Sequence, residues 1–173
     1  MPRIHVTGNA GSGKSSLAAA LGDVLGLPVF GLDEIVWGPG WQKTPASIRG
    51  PKEQALVSKP DWIIEGVSPI VRAAADTIIF LDVGRPTCFF RCLKRNWRYL
   101  FKSRPGLPEN CPEILIIPKL IKIVWLFPTR MRPTILEDLT TGGQQVFIIR
   151  NAQELAAAIA ALKMQMLEPA TVG

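Results

Sequence analysis

Short apolar runs rich in β-branched residues alternate along this chain with stretches whose apolar side chains recur every three to four positions. Arg3 to Thr7 is a β-rich run that stops at Gly8, and Lys14 to Leu25 follows as a helix with Leu17, Ala18, Leu21, Val24 and Leu25 on one side. Pro28 to Leu32 reads as a second strand with Asp33 at its carboxyl end, and a loop marked by Gly38-Pro39-Gly40 leads to a helix between Pro45 and Ser58. Trp62 to Glu65 is a third strand ended by Gly66, and Thr77 to Leu81 a fourth ended by Asp82. A basic helix is predicted over Pro86 to Phe101, then a proline-rich connection, then a second helical region to about Leu139 broken near Pro118, Pro128 and Pro133. Val146 to Ile149 is a fifth strand, and Asn151 with Glu154 forms a capping-box start to a last helix, Gln153 to Leu162. Residues 164–173 are expected to fray.

Five short strands separated by helices predict a three-layer α/β fold, a parallel sheet covered on both faces. Strands three, four and five each carry a continuous apolar run, as strands buried on both faces do. A length of 173 residues fits one domain with a core of its own, spanning 1–173. The net charge of +6 suits an anionic ligand: a nucleotide, a nucleic acid or an acidic membrane face. Three cysteines, Cys88, Cys92 and Cys111, argue against a disulfide framework and for a reducing cytoplasm, and His5 as the only histidine argues against zinc. Ile114 to Phe127 is the most apolar stretch, but Pro118, Lys119 and Lys122 interrupt it, and it falls short of the roughly 20 residues a membrane span needs.

Gly8-Asn9-Ala10-Gly11-Ser12-Gly13-Lys14-Ser15 fits G-x-x-x-x-G-K-[ST] at every fixed position and sits between a strand and a helix. Such a loop curls successive N–H groups inward, and the helix N-terminus behind it adds positive potential. Residues Gly8 to Ser16 are the expected nucleotide cradle, with Lys14 reaching the β- and γ-phosphates and the Ser15 hydroxyl on Mg²⁺.

The motif leaves the reaction open. No Asn-Lys-x-Asp follows strand four or five, which weighs against a GTPase, and a mechanical ATPase needs a larger domain. A small kinase using ATP and Mg²⁺ fits the size. Glu65 is the candidate acid for the Mg²⁺ shell, and Asp33 the candidate to orient or deprotonate an acceptor hydroxyl. Asp82 reads as structural. Arg91, Arg95, Arg98, Lys102 and Arg104 follow at short spacings, as a cationic lid over about 91–132 would require, and Arg91 and Arg95 are first choices for contacting transferred phosphate. Arg130 and Arg132 form a weaker second cluster. Trp37 and Trp41 flank the turn beyond Asp33, where they either stack on a flat substrate or pack over the core.

The phosphate loop, Leu32-Asp33 with Trp37, Trp62 to Gly66, Ala75 to Asp82 and the arginine-rich helix occur in that order, followed by Ser103-Arg104-Pro105, Cys111-Pro112-Glu113 and Trp125 with Phe127. This series, over roughly residues 2–162, resembles the adenylate-kinase-like P-loop proteins of the FlaR, or DNA topology modulation, family. The resemblance implies a nucleoside-monophosphate-kinase-like fold with strand order 2-3-1-4-5, an acceptor region after strand two, an arginine lid, ATP and Mg²⁺. One departure is Glu65-Gly66-Val67, where such relatives often carry Asp-Gly-Asn, so a substrate contact from an Asn side chain is absent. The leading expectation is a cytoplasmic phosphotransferase, monomeric or homodimeric, acting on a nucleotide or other small acceptor. The alternative is a nucleotide-dependent nucleic-acid-binding or regulatory protein, and a minor third is peripheral membrane association through Ile114 to Arg132.

Overall fold

The computed structural model describes residues 2–99 and 110–167. Its elements are β1 (Arg3–Gly8), α1 (Lys14–Leu25), β2 (Val29–Gly31), α2 (Asp33–Val36), β3 (Trp37–Gly38), β4 (Gln42–Lys43), α3 (Ala46–Val57), β5 (Trp62–Glu65), α4 (Pro69–Ala74), β6 (Thr77–Leu81), α5 (Arg85–Arg98), α6 (Glu113–Arg130), α7 (Arg132–Thr141), β7 (Gln145–Ile149) and α8 (Ala152–Leu167). Five strands form one parallel sheet in the order β2-β5-β1-β6-β7, and β3 pairs with β4 in a separate antiparallel ribbon. That ribbon was not foreseen. It takes two strand numbers, so the order is not the expected 2-3-1-4-5 as numbered, although the five sheet strands taken alone keep that sequence.

Alternation along the strands sorts side chains to two faces. Ile4, Val6, Ile63, Ile79 and Leu81 pack against α1 and α8, while Trp62, Ile64, Ile78 and Phe80 meet Val57, Val71 and Ile135 on the other face. A third cluster joins α5 to α6 through Cys88, Cys92, Ile116, Leu120 and Val124, so the two cysteines serve as small apolar side chains.

Helix signals account for several boundaries. Asn151 Oδ1 accepts from the Glu154 N–H at 2.9 Å, and Glu154 Oε2 accepts from the Arg150 N–H at 2.6 Å, fixing the start of α8. That helix runs to Leu167, so residues 164–167, expected in the tail, are helical, and 168–173 lie outside the described residues. α4 was also missed; Ser68 caps it by accepting from the Val71 N–H at 3.3 Å, with proline in the first turn.

The predicted breaks at Pro118 and Pro128 do not occur. α6 runs through both, and the break expected near Pro133 is the one that occurs: the chain turns at Met131, before a helix with Pro133 in its first turn. A proline inside a helix leaves the carbonyl four residues back without its donor, which is tolerated where that carbonyl finds another partner. For Pro118 that carbonyl belongs to Ile114, an exposed position open to water. For Pro128 it belongs to Val124, which accepts from Asn9 Nδ2 at 3.1 Å.

Candidate functional site

The register of the central strands brings the site together. Val6 lies beside Glu65, and Gly31 beside Glu65 on its other side, so the carboxyl ends of β1, β2 and β5 meet at one edge. Beyond β1 the chain turns through the glycine loop into α1, and beyond β2 it enters α2 with Asp33 as the first residue. Open parallel sheets bind ligands at this edge.

Two glycines fix the loop. Gly11 has φ +76° and lies so close to α5 that a Cβ would stand 2.3 Å from the Cys88 carbonyl oxygen and 2.7 Å from Cys92 Sγ. Gly13, with φ +105°, precedes α1 and offers its first turn no side-chain cap. The orphan N–H groups of that turn therefore face the cleft with helix-end potential behind them, a fit for phosphate oxygens.

Lys14 Nζ donates to the Asn9 carbonyl at 2.8 Å, across the loop mouth. Burial pulls its pKa below the ordinary lysine value, while the Glu65 and Asp33 carboxylates oppose that shift and Arg95 adds to it. Ser15 Oγ donates to Glu65 Oε1 at 2.9 Å. Glu65 is nearly buried, so a hydroxyl and a carboxylate stand together as hard oxygen donors beside the glycine loop. This pair fits Mg²⁺, which takes few protein ligands and completes its shell with water and phosphate oxygens.

These groups open into a cleft of about 840 Å³ lined by Lys14, Ser15, Asp33, Glu65, Arg91 and Arg95. Gly8, Ala10, Gly11, Gly13 and Ser16 line it as well, whereas Asn9 and Ser12 are buried beneath the loop. Arg91 Nη1 donates to the Ser12 carbonyl at 3.0 Å, holding α5 against the loop. Arg95 stands 4.0 Å from Glu113, a fully buried carboxylate at the start of α6. With its amide turned to satisfy both neighbours, Asn96 donates to Glu113 Oε2 at 2.9 Å and to the Cys92 carbonyl at 3.1 Å. The α5 backbone ends at Arg98, while Lys102, Arg104 and Ser103 to Pro105 lie outside the described residues.

Trp37 and Trp41 pack edge to face with centroids 5.6 Å apart; Lys119 Nζ lies 4.2 Å from the Trp37 centroid, and Trp41 Nε1 donates to the Pro112 carbonyl at 2.8 Å. Their rings are thus engaged with each other and with α6 at the cleft wall. Asp82 is held by a two-bond Arg132 fork at 2.8 Å each, with Arg150 at 3.5 Å, which makes it a structural carboxylate and removes Arg132 from the cleft's cations. Sequence reasoning missed Glu34, Tyr99 and Glu113 on the cleft wall. No motif marks Glu34 or Tyr99, and Glu113 stands in the Cys111-Pro112-Glu113 stretch with no site role assigned to it; helix packing brings Tyr99 and Glu113 there, through the Glu113 N–H donating to the Tyr99 carbonyl at 3.2 Å.

No protein-family model and no curated protein matches the chain, so membership of the FlaR family gains no support. Solved structures do match. A deoxyadenosine kinase from M. mycoides with bound dATP aligns at TM-score 0.55 and 13% identity, covering 97% of this chain and 100% of the other. A shikimate kinase from Bacteroides thetaiotaomicron aligns at TM-score 0.56 and 16% identity, over 96% and 99%. A shikimate kinase from Acinetobacter baumannii in complex with shikimate aligns at 0.52 and 18%, over 96% and 91%. At these identities the likeness is one of fold alone: the five-stranded parallel sheet with helices on both faces is shared with these solved structures.

Proposed function

We propose that this protein is an ATP- and Mg²⁺-dependent phosphotransferase acting on a small hydroxylated or phosphorylated acceptor. The observation that carries the reading is the Ser15–Glu65 pair, 2.9 Å apart, beside a lysine that spans a glycine loop with an uncapped helix behind it. The same cleft holds Asp33, Arg91 and Arg95, and the fold is shared with kinases of nucleosides and of shikimate.

In this reading the loop N–H groups and Lys14 bind the nucleotide phosphates and fix the γ-phosphorus. Ser15 and Glu65 would hold Mg²⁺ through oxygen, and the bound ion would supply charge neutralisation at the phosphate oxygens. Asp33 accepts the proton of the acceptor hydroxyl as that oxygen bonds to the γ-phosphorus, and the bond from phosphorus to the β–γ bridging oxygen breaks to leave ADP. Arg91 and Arg95 stabilise the charge on the transferring group.

The test is ADP release and product mass from Mg-ATP with a panel of nucleoside monophosphates, nucleosides and hydroxylated small molecules. Acceptor-dependent ADP release that disappears in a folded Lys14→Ala variant is the expected result. Full turnover in Lys14→Ala, or no ATP binding by the wild-type chain, overturns the reading.

A further inference from the structure

Helices α5 and α6 carry a surface that the cleft does not use. Phe89, Leu93 and Trp97 recur at helical spacing on α5, and Ile117, Ile121 and Trp125 on α6. The two stripes share one face, because Phe89, Leu93, Ile117 and Ile121 line a single shallow groove of about 40 Å³ between the helices. The stripes are open to solvent: Trp97 is 78% exposed and Trp125 65%, and Phe90, also on α5, is 67% exposed. Scattered apolar residues on a surface need no explanation, but a contiguous aromatic and aliphatic face does.

Charge identifies what covers it. α5 contains no carboxylate, and the single one on α6, Glu113, is fully buried, so every exposed charge on the two helices is cationic. Lys94 and Lys122 flank the stripes in exposed positions, and the Arg85 guanidinium lies 5.0 Å from the Trp125 ring centroid. Tryptophans and aliphatics bordered by cations match the boundary between lipid headgroups and acyl chains of an anionic membrane. A second copy of the chain fits worse, since a two-fold contact through this face sets cationic rims against each other. A helical peptide partner requires deep pockets for its anchors, and the groove between α5 and α6 is shallow, about 40 Å³. Among the described residues no helix is long and apolar enough to cross a membrane, so the contact is one of lying on the surface.

We propose that the outer face of α5 and α6 is a docking surface for an anionic lipid bilayer. This rests on the surface alone and stands whether or not the cleft transfers phosphate. The same two helices hold the phosphate loop, through Arg91 to Ser12 and Asn9 to Val124, so docking would act directly behind the nucleotide cradle.

The test is flotation of the full chain with vesicles of phosphatidylcholine alone and of phosphatidylcholine mixed two to one with phosphatidylglycerol. The protein is expected to float with the anionic vesicles and stay at the bottom with the neutral ones. Trp97→Ser with Trp125→Ser, and separately Lys94→Glu with Lys122→Glu, should each lower the bound fraction at least about tenfold, with an unchanged circular dichroism spectrum. A measurement free of any folding defect uses the wild-type chain: brominated acyl chains in anionic vesicles should quench tryptophan emission. Wild type remaining at the bottom, no quenching, or flotation of the tryptophan variant equal to wild type overturns the proposal. So does a dimer in solution that the tryptophan variant dissociates while vesicles fail to bind.

Discussion

The side-chain amide of Asn9 donates a 3.1 Å hydrogen bond to the main-chain carbonyl of Val124, an acceptor left without its helical donor because Pro128 has no N–H. Asn9 Oδ1 accepts in turn from the Ala10 N–H at 2.8 Å, so one buried side chain fixes the turn of the glycine loop and ties it to α6. A proline that reads in the sequence as a helix break thus opens a position on which the loop is fastened.

This arrangement makes a coupled prediction. Asn9→Ala strands a buried carbonyl and should cost about 1–3 kcal/mol. Pro128→Ala restores the helical donor to that carbonyl, so the double variant should lose less than the two single losses combined. Urea unfolding of all four chains measures the coupling, and simple additivity would show that the carbonyl is satisfied without Asn9.

Removing either member of the Ser15–Glu65 pair should act on metal use before it acts on the fold. Ser15 is exposed and Glu65 lies at a strand end, so Ser15→Ala and Glu65→Gln are expected to stay folded. Each should raise the Mg²⁺ concentration for half-maximal nucleotide turnover about 10–100-fold, the usual cost of disturbing a metal's supporting shell. A Mg²⁺ titration that superimposes on that of wild type would place the metal elsewhere.

Gly11→Ala tests the packing of the loop on α5. The new methyl group would need φ near +76° and would meet the Cys88 carbonyl oxygen at 2.3 Å, a backbone atom that cannot swing aside. Strain and overpacking together should destabilise the protein by about 3 kcal/mol. Thermal unfolding should show the loss, whereas Gly50→Ala, a position with open space around it, should show little.

The glycine loop, Glu65 and Asp33 were legible because a local rule announces each: a fixed motif, or a carboxylate at the end of a short apolar run. Bounds of α1, β5 and β6 followed from the same local patterns. What remained illegible depends on contacts between distant segments. Nothing near Pro128 shows that its spare carbonyl has a partner more than a hundred residues away, and nothing near Arg132 shows that it clamps Asp82 rather than joining a cationic cluster. The β3–β4 ribbon is two residues a strand, too short to carry a period, and its Trp41 has φ +58°, a conformation propensity does not anticipate.

The Asp82–Arg132 fork should appear in the acid limb of the stability curve. The Arg132 hydrogen bonds hold the Asp82 carboxyl below its ordinary 3.8, against the opposing effect of burial. A depressed carboxylate contributes its stability above the unfolded pKa and loses it as pH falls through the folded one. Asp82→Asn should therefore weaken the protein by about 1 kcal/mol near neutral pH, a partly exposed Arg132 limiting the effect. The difference from wild type should vanish in strong acid, and one that persists there would assign the effect to packing.

His5 governs the window above that one. Its ring is fully buried in β1, Nε2 donates to the Gly66 carbonyl at 3.1 Å, and burial pushes its pKa down from 6.5 to about 3, with Arg72 and Lys14 adding to the shift. Between those values the unfolded chain binds a proton that the folded chain refuses, so stability falls as pH drops from 6.5 toward 3. The loss between 6.5 and about pH 5 should be about 1.5 kcal/mol, in a range where no other histidine titrates because the chain has only one. Urea midpoints measured across this range should slope for wild type and flatten in His5→Gln. Equal slopes in the two chains would mean that His5 takes up its proton in the folded state, and that the β1 interior is open to charge.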